Sequence, residues 1–261
     1  MAVLEGKGRS PKTIRNVIGT LSSLFNFARA PQRGWATANP CAGLVELPAV
    51  PDATEIRFLT LEEVDALVAH ARPGPFQAVD RALYLTAAMT GLRKGELVAL
   101  RWRDVDWTSG RIRVRQNYTR GEFGTPKSKR STRSVPLTDE GAGELERLFQ
   151  HSRWQGDDDL VFAHPETGGV VTKSNVTRRM RAALKAAGLD DSHVFHDLRH
   201  TFGTRMAAVG VPMRTLQEWM GHRDLATTQI YADYSPNARE AEMVAAAFRR
   251  SDVLRDQASV S

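Results

Sequence analysis

The sequence predicts a mostly α-helical protein with one small antiparallel β-sheet. Three observations carry that prediction. Apolar residues recur at helical spacing over most of the chain. The period changes to two only between about Trp102 and Leu137. Glycines stand just past the ends of the helical stretches, at Gly91, Gly188, Gly210 and Gly221.

Residues 1–9 read as a frayed start. Ser10 then stands before Pro11, a capping serine followed by a proline at the first helical position. Ile14, Val17, Ile18, Leu21, Leu24, Phe25 and Ala28 continue that helix. A short helix is expected before Asn39-Pro40, and Leu47–Thr54, with Pro48 and Pro51, reads as a linker. Thr60 and Glu63 form a capping box that opens a helix to about Ala71. A largely apolar helix follows from about Phe76 to Thr90, and another covers about Lys94–Leu100.

Asp104–Trp107, a turn at Ser109-Gly110 and Arg111–Gln116 read as a hairpin. Ile112 and Val114 take one face; Arg111, Arg113 and Arg115 take the other. A third strand, about Arg133–Leu137, follows a basic loop. Helices are then expected at about Asp139–His151, Ser174–Ala187, Asp197–Val209, Pro212–Met220, Leu225–Ala232 and Asn237–Arg249. The domain organisation expected is a helical domain over 1–50, a second domain over 51–251 and a disordered tail over 252–261.

The 261 residues are 41% hydrophobic and 25% charged, the balance of an ordinary globular protein. The formal net charge is +6, and its distribution matters more than its size. From Arg93 to Arg133 there are twelve Lys/Arg against four Asp/Glu, and residues 173–185 hold five bases and no acid. Such segments suit a polyanion. Cys41 is the only cysteine, which excludes an intrachain disulfide and suggests a reducing compartment. The start carries no apolar signal-peptide core, and no apolar run approaches the ~20 residues needed to span a bilayer. A cytoplasmic protein without membrane contact is expected.

Five polar signatures then recur in order: Arg93, Lys127, His196 with Arg199, His222 and Tyr231. Arginines hold non-bridging phosphate oxygens, lysine and histidine move protons, and tyrosine serves as a nucleophile. Arg93 sits at a helix entry where backbone N–H groups can assist, with Glu96 to brace it. Lys127 lies in the loop before the third strand, with Lys129 as the fallback. His196 and Arg199 are three apart and share a helical face. His196 and His200 are four apart, which raises a zinc reading. Asp197 stands where a metalloprotease helix has glutamate, no third ligand is evident, and Arg199 would repel a cation. No metal or other cofactor is therefore expected. Each signature has a bland reading by itself: a solvated arginine or lysine, a packed histidine, a core tyrosine with Tyr234 as a decoy.

Taken together, TGLRKGEL (90–97), TPKSKRSTRSVPL (125–137), HDLRHTFGT (196–204) and MGHRDLATTQIY (220–231) resemble the tyrosine recombinase (phage integrase) family. The resemblance covers about Phe58 to Phe248. It implies a helical catalytic domain with a small sheet, preceded here by part of a helical, SAM-like core-binding domain. It implies that Arg93 and Arg199 clamp the phosphate, that Lys127 is the general acid, and that His196 and His222 are active-site histidines. Tyr231 is then the nucleophile, and the spacing from His222 argues against Tyr234. Implied too are site-specific DNA cutting and rejoining through a 3′-phosphotyrosine, without metal or ATP, in a homo-tetramer on double-stranded DNA. Accessory DNA-bending proteins and nucleoid association belong to the same expectation. Residues 10–50 resemble only the later half of the core-binding domain, so either the true start lies upstream or the chain is a truncated relative. The alternative function is a catalytically impaired remnant that only binds DNA.

Overall fold

The computed structural model describes residues 2–43, 47–49, 56–124 and 133–232. The chain divides into two compact units, Met1–Glu55 and Ile56–Ser261.

In the first unit, α1 (Ala2–Gly6) occupies what the sequence suggests is a frayed start. Its Ala, Val, Leu and Glu are adequate helix formers, and Gly8 beyond it takes a left-handed φ of 62°. α2 spans Pro11–Ala28; the Ser10 side chain accepts from the Thr13 N–H, and Ile14 and Ile18 are buried. The short helix expected before Asn39 does not form: residues 30–43 make turns. Asn39 explains why. Its amide donates to Ser22 O at 3.2 Å and Asn26 Oδ1 at 2.9 Å, and its Oδ1 accepts from the Cys41 N–H at 2.9 Å. The side chain competes with helical backbone bonding and folds the segment onto α2. Much of the expected linker lies outside the described residues.

The second unit is mostly helical with small antiparallel sheets, as the sequence predicts. α3 (Leu61–Ala69) opens with the Thr60/Glu63 capping box. α4 (Gln77–Thr90) buries ten side chains and packs against α3 and against the helices over Asp139–His151 and Phe195–Ala208, which accounts for its apolar composition. α5 (Lys94–Leu97) is shorter than expected. Leu100 O accepts from Val161 N at 2.9 Å and Trp102 N donates to Asp159 O at 3.2 Å, so the 157–161 segment captures the backbone that would have prolonged the helix. A 3-10 turn at Trp102–Asp104 leads into β1 (Val105–Asp106) and β2 (Arg111–Val114).

β2 is the centre of a three-stranded antiparallel sheet, flanked by β1 and by the strand over Arg133–Pro136. Between them lies a second hairpin absent from the sequence reading: β3 (Asn117–Thr119) pairs with β4 (Glu122–Gly124) around Arg120 (φ 55°) and Gly121 (φ 89°). Three-residue strands and an Arg-Gly corner, in place of the usual Asn-Gly, leave little pattern to read. β5 (Arg133–Pro136) sets Val135 opposite Ile112 and Arg133 opposite Val114. The remaining helices are α6 (Asp139–His151), α7 (Lys173–Ala186), α8 (Phe195–Ala208), α9 (Met213–Met220) and α10 (Ala226–Gln229). Arg179 on α7 ties to Asp80 on α4 with a 2.7 Å ion pair. α8 is buried on several sides, including Phe195, Leu198, Phe202 and Ala207, so it carries its polar residues into the interior. The expected helix at Asn237–Arg249 and the tail fall outside the described residues. Among the described residues no helix is long and apolar enough to cross a membrane.

Candidate active site

The site is organised by the C-terminal end of α9. A helix ends with carbonyls that lack intrahelical partners and with a partial negative charge. Here three consecutive carbonyls each accept from a different arginine. Arg133 Nε donates to Trp219 O, Arg199 Nη2 to Met220 O and Arg93 Nη2 to Gly221 O, each at 2.7 Å. Gly221 caps the helix with φ 65°, a left-handed conformation suited to glycine, and a Cβ there would lie 2.8 Å from the Arg133 guanidinium. His222 follows directly.

Arg93 reaches this point from the turn after α4. Gly91 ends α4 at φ 62°, and Arg93 becomes the N-cap of α5. Glu96 braces it twice: Oε2 accepts from the Arg93 backbone N–H at 2.8 Å and Oε1 from Nη1 at 3.0 Å. Of the backbone N–H groups at this helix entry, that of Arg93 is engaged by Glu96, and a four-residue helix supplies little dipole. The side chain remains 42% exposed. Arg199 projects from α8 and is only 2% exposed. Besides Met220 O it donates to Gly91 O. Burial, then the Arg93 charge, lower its pKa, with partial relief from Glu96. It nevertheless stays a cation at neutral pH.

Arg133 is the residue that sequence reasoning missed. It binds both oxygens of Glu96, Nη1 to Oε1 at 2.9 Å and Nη2 to Oε2 at 2.7 Å. Burial alone would raise the Glu96 carboxyl; the Arg133 hydrogen bond and charge, with Arg93, depress it to about 2. A signal was available. Strand alternation puts Arg133 on the same face as buried Val135, and an arginine facing inward requires a partner.

The imidazoles and the phenol lie alongside. His222 Nδ1 is 2.9 Å from Thr228 Oγ1, and its ring stacks parallel to Tyr231, centroids 6.4 Å apart. Tyr231 is 1% exposed, and its hydroxyl is 3.0 Å from His200 Nδ1. His196 meets His200 edge to face at 4.7 Å. Burial raises the Tyr231 pKa to about 12, although the Arg199 and Arg93 charges oppose the rise. The sequence reading weighed His200 only as a metal ligand; here it is the tyrosine's partner. Asp197, the other residue of that reading, accepts from the Val194 N–H at 3.0 Å and lies 2.9 Å from His193 Nδ1. No group of three or more His, Cys, Asp or Glu placed to hold a metal occurs among the described residues. Lys127, Lys129 and Tyr234 lie outside the described residues.

Gly203, one turn beyond His200, makes room for the phenol: a Cβ there would meet the Tyr231 ring at 2.5–2.7 Å. Gly203→Ala is expected to destabilise the protein by about 1–3 kcal/mol through overpacking, although alanine favours helix by about 1 kcal/mol. Thermal denaturation checks it, and a higher Tm would show that the ring has room to yield.

The buried imidazoles also set an acid limit. Burial, then Arg199, Arg93 and Arg133, push His222 down to about 3; burial, then His200 and Arg199, push His196 down to about 4. Burial lowers His200 as well. In the unfolded chain these groups take up protons near their ordinary value of about 6.5. Between those values the unfolded state binds more protons, so stability is full above about pH 6.5 and is lost as the pH falls toward 4 and 3. Tm should hold near neutrality and drop on acidification. The drop should be shallower in His222→Asn; an unchanged slope would rule out this histidine as a source.

Residues 57–238 match the sequence profile of the phage integrase family. The chain is 30% identical over 269 residues to a XerC-like tyrosine recombinase of Caldanaerobacter subterraneus subsp. tengcongensis, covering 89% of this chain and 65% of that protein. It is 30% identical over 231 residues to the tyrosine recombinase XerC of Xanthomonas axonopodis pv. citri, covering 86% and 68%. Among solved structures, the Tn1549 transposon integrase in complex with transposon right end DNA superposes with a TM-score of 0.72 over 94% of this chain and 83% of that one. At 23% identity that likeness speaks to the fold. The chain thus spans about two thirds of the length of these two curated relatives.

Proposed function

The chain belongs to the phage integrase family of tyrosine recombinases, and from that premise we propose that it cuts and rejoins double-stranded DNA through a 3′-phosphotyrosine on Tyr231. The observation that carries this reading is the convergence of Arg93 and Arg199 on adjacent carbonyls, Gly221 O and Met220 O, beside His222 and Tyr231. Two guanidinium groups there match the non-bridging oxygens of one phosphodiester.

The Tyr231 oxygen attacks phosphorus in line; the bond to the 5′-oxygen breaks and the 3′-phosphate stays on tyrosine. A 5′-hydroxyl of a second strand reverses the step, so bond energy is retained and no ATP is needed. Arg93 and Arg199 hold the charge that grows on the phosphorane, and His222, fixed by Thr228, donates to the same oxygens. His196 completes that wall, and Lys127 delivers the proton to the leaving 5′-oxygen. With its pKa pushed up to about 12, the phenol needs both the arginine field and a neutral imidazole to lose its proton. Its burial requires the α10 segment to release the ring toward the phosphate. The active form is a homo-tetramer on DNA in the cytoplasm.

Incubation with DNA tests this. The expected product is a protein–DNA adduct that survives denaturant, with protein on the 3′ phosphate and a free 5′-hydroxyl. DNA binding without any adduct would instead support the binding-only alternative, which the buried phenol favours.

A further inference from the structure

On the reading of Arg93 as a phosphate-binding group, we propose that Arg133 is a positioning residue that neutralises Glu96, so that the charge of Arg93 stays available to the substrate phosphate.

Glu96 is 8% exposed and lies between two arginines. Arg93 holds it through one side-chain bond, Nη1 to Oε1 at 3.0 Å, and keeps a 42% exposed side chain. Arg133 holds it through both oxygens, and its Nε is committed to Trp219 O. Arg133 is itself 8% exposed. All three of its nitrogens are engaged, so it offers no fork to a ligand. Its role is directed inward, at the carboxylate. A bidentate pair is the stronger of the two, and it satisfies Glu96 without drawing Arg93 in.

The charge balance follows. Three guanidiniums (Arg93, Arg133 and Arg199) against one carboxylate (Glu96) leave a formal charge of +2 at the end of α9. A phosphodiester carries one negative charge and its pentacoordinate transition state two. Without Arg133 the cluster falls to +1. Glu96, still buried, then has Arg93 as its remaining cation, and the two close into a pair that competes with phosphate. Arg133 also anchors β5 to Trp219 O, so strand and helix hold the same register as the charge they share.

The test compares Arg133→Met, Arg133→Lys and the double variant Arg133→Met/Glu96→Gln. The probe is a pool of random-sequence DNA duplexes from which covalent adducts are captured under denaturing conditions. Arg133→Met is expected to slow adduct formation by up to about 100-fold and to weaken DNA affinity by no more than about tenfold. Arg133→Lys keeps the charge, and the double variant removes the carboxylate that needed it. Both are expected within about tenfold of the unaltered chain. A role confined to folding would move Tm and rate together and would not be reversed by removing Glu96. A double variant no faster than Arg133→Met, or a lysine variant as slow, overturns the proposal. Should Arg133→Met fail to fold, the other two carry the test, and a loss of about 100-fold in either overturns it. If the unaltered chain forms no adduct, the recombinase reading fails and the comparison moves to inorganic phosphate. There Arg133→Met should weaken affinity about tenfold and the double variant restore it; equal affinities would end this inference alone.

Discussion

Tyr231→Phe is expected to abolish the covalent protein–DNA adduct while leaving DNA binding intact. The change removes one oxygen, and that oxygen is the proposed attacking atom. The ring should stay where it is, because Gly203, His222 and the surrounding core define its pocket independently of the hydroxyl. What is lost structurally is the 3.0 Å contact with His200, which costs about 1 kcal/mol. A loss of stability of that size, with adduct reduced to background, separates chemistry from folding. An adduct that survives the substitution would remove Tyr231 from its role and return attention to Tyr234.

Arg199→Lys is expected to slow cleavage by about 10²–10³-fold, the scale set by removing one preorganised donor from a site of developing charge. Lysine keeps a positive charge but not the fork. Arg199 spans Gly91 O and Met220 O, the carbonyls that end α4 and α9, from a nearly closed position on α8. An ammonium cannot bridge both and also face a phosphate. One carbonyl is left without its donor, so stability should fall by about 1–3 kcal/mol. Single-turnover cleavage against DNA affinity decides the matter. The cleavage rate should drop far more than affinity, because the arginine's contribution is largest where the phosphorane gains charge. Loss of binding with an unchanged cleavage rate would make Arg199 a ground-state anchor only.

Much of the second unit was legible because its signals are local. The helix expected at about Asp139–His151 forms over those residues, and the Thr138 side chain caps it by accepting from the Gly141 N–H. The α4 boundary followed from Gly91, and the Thr60/Glu63 box opened α3 as expected. The readings that failed did so for different physical reasons. α5 stops early because residues near Asp159 claim its continuation. The β3–β4 hairpin rests on three-residue strands with almost no periodicity. Arg133 was counted as one base among twelve in a polyanion-facing stretch, although its place beside Val135 made it an inward residue.

Composition, period and capping residues by themselves determined the helical class and the small sheet, and the sequence itself gives the order Arg93, Lys127, His196, Arg199, His222 and Tyr231. These follow from propensities and spacings within a few residues. Only the tertiary structure decided that Arg93, Arg133 and Arg199 meet three successive carbonyls, and that the Tyr231 hydroxyl rests on His200. The Arg93–Gly221 bond joins positions 128 residues apart. Such a contact depends on how α4, α8 and α9 pack, and packing is settled by the whole core at once, with no short stretch of sequence encoding it.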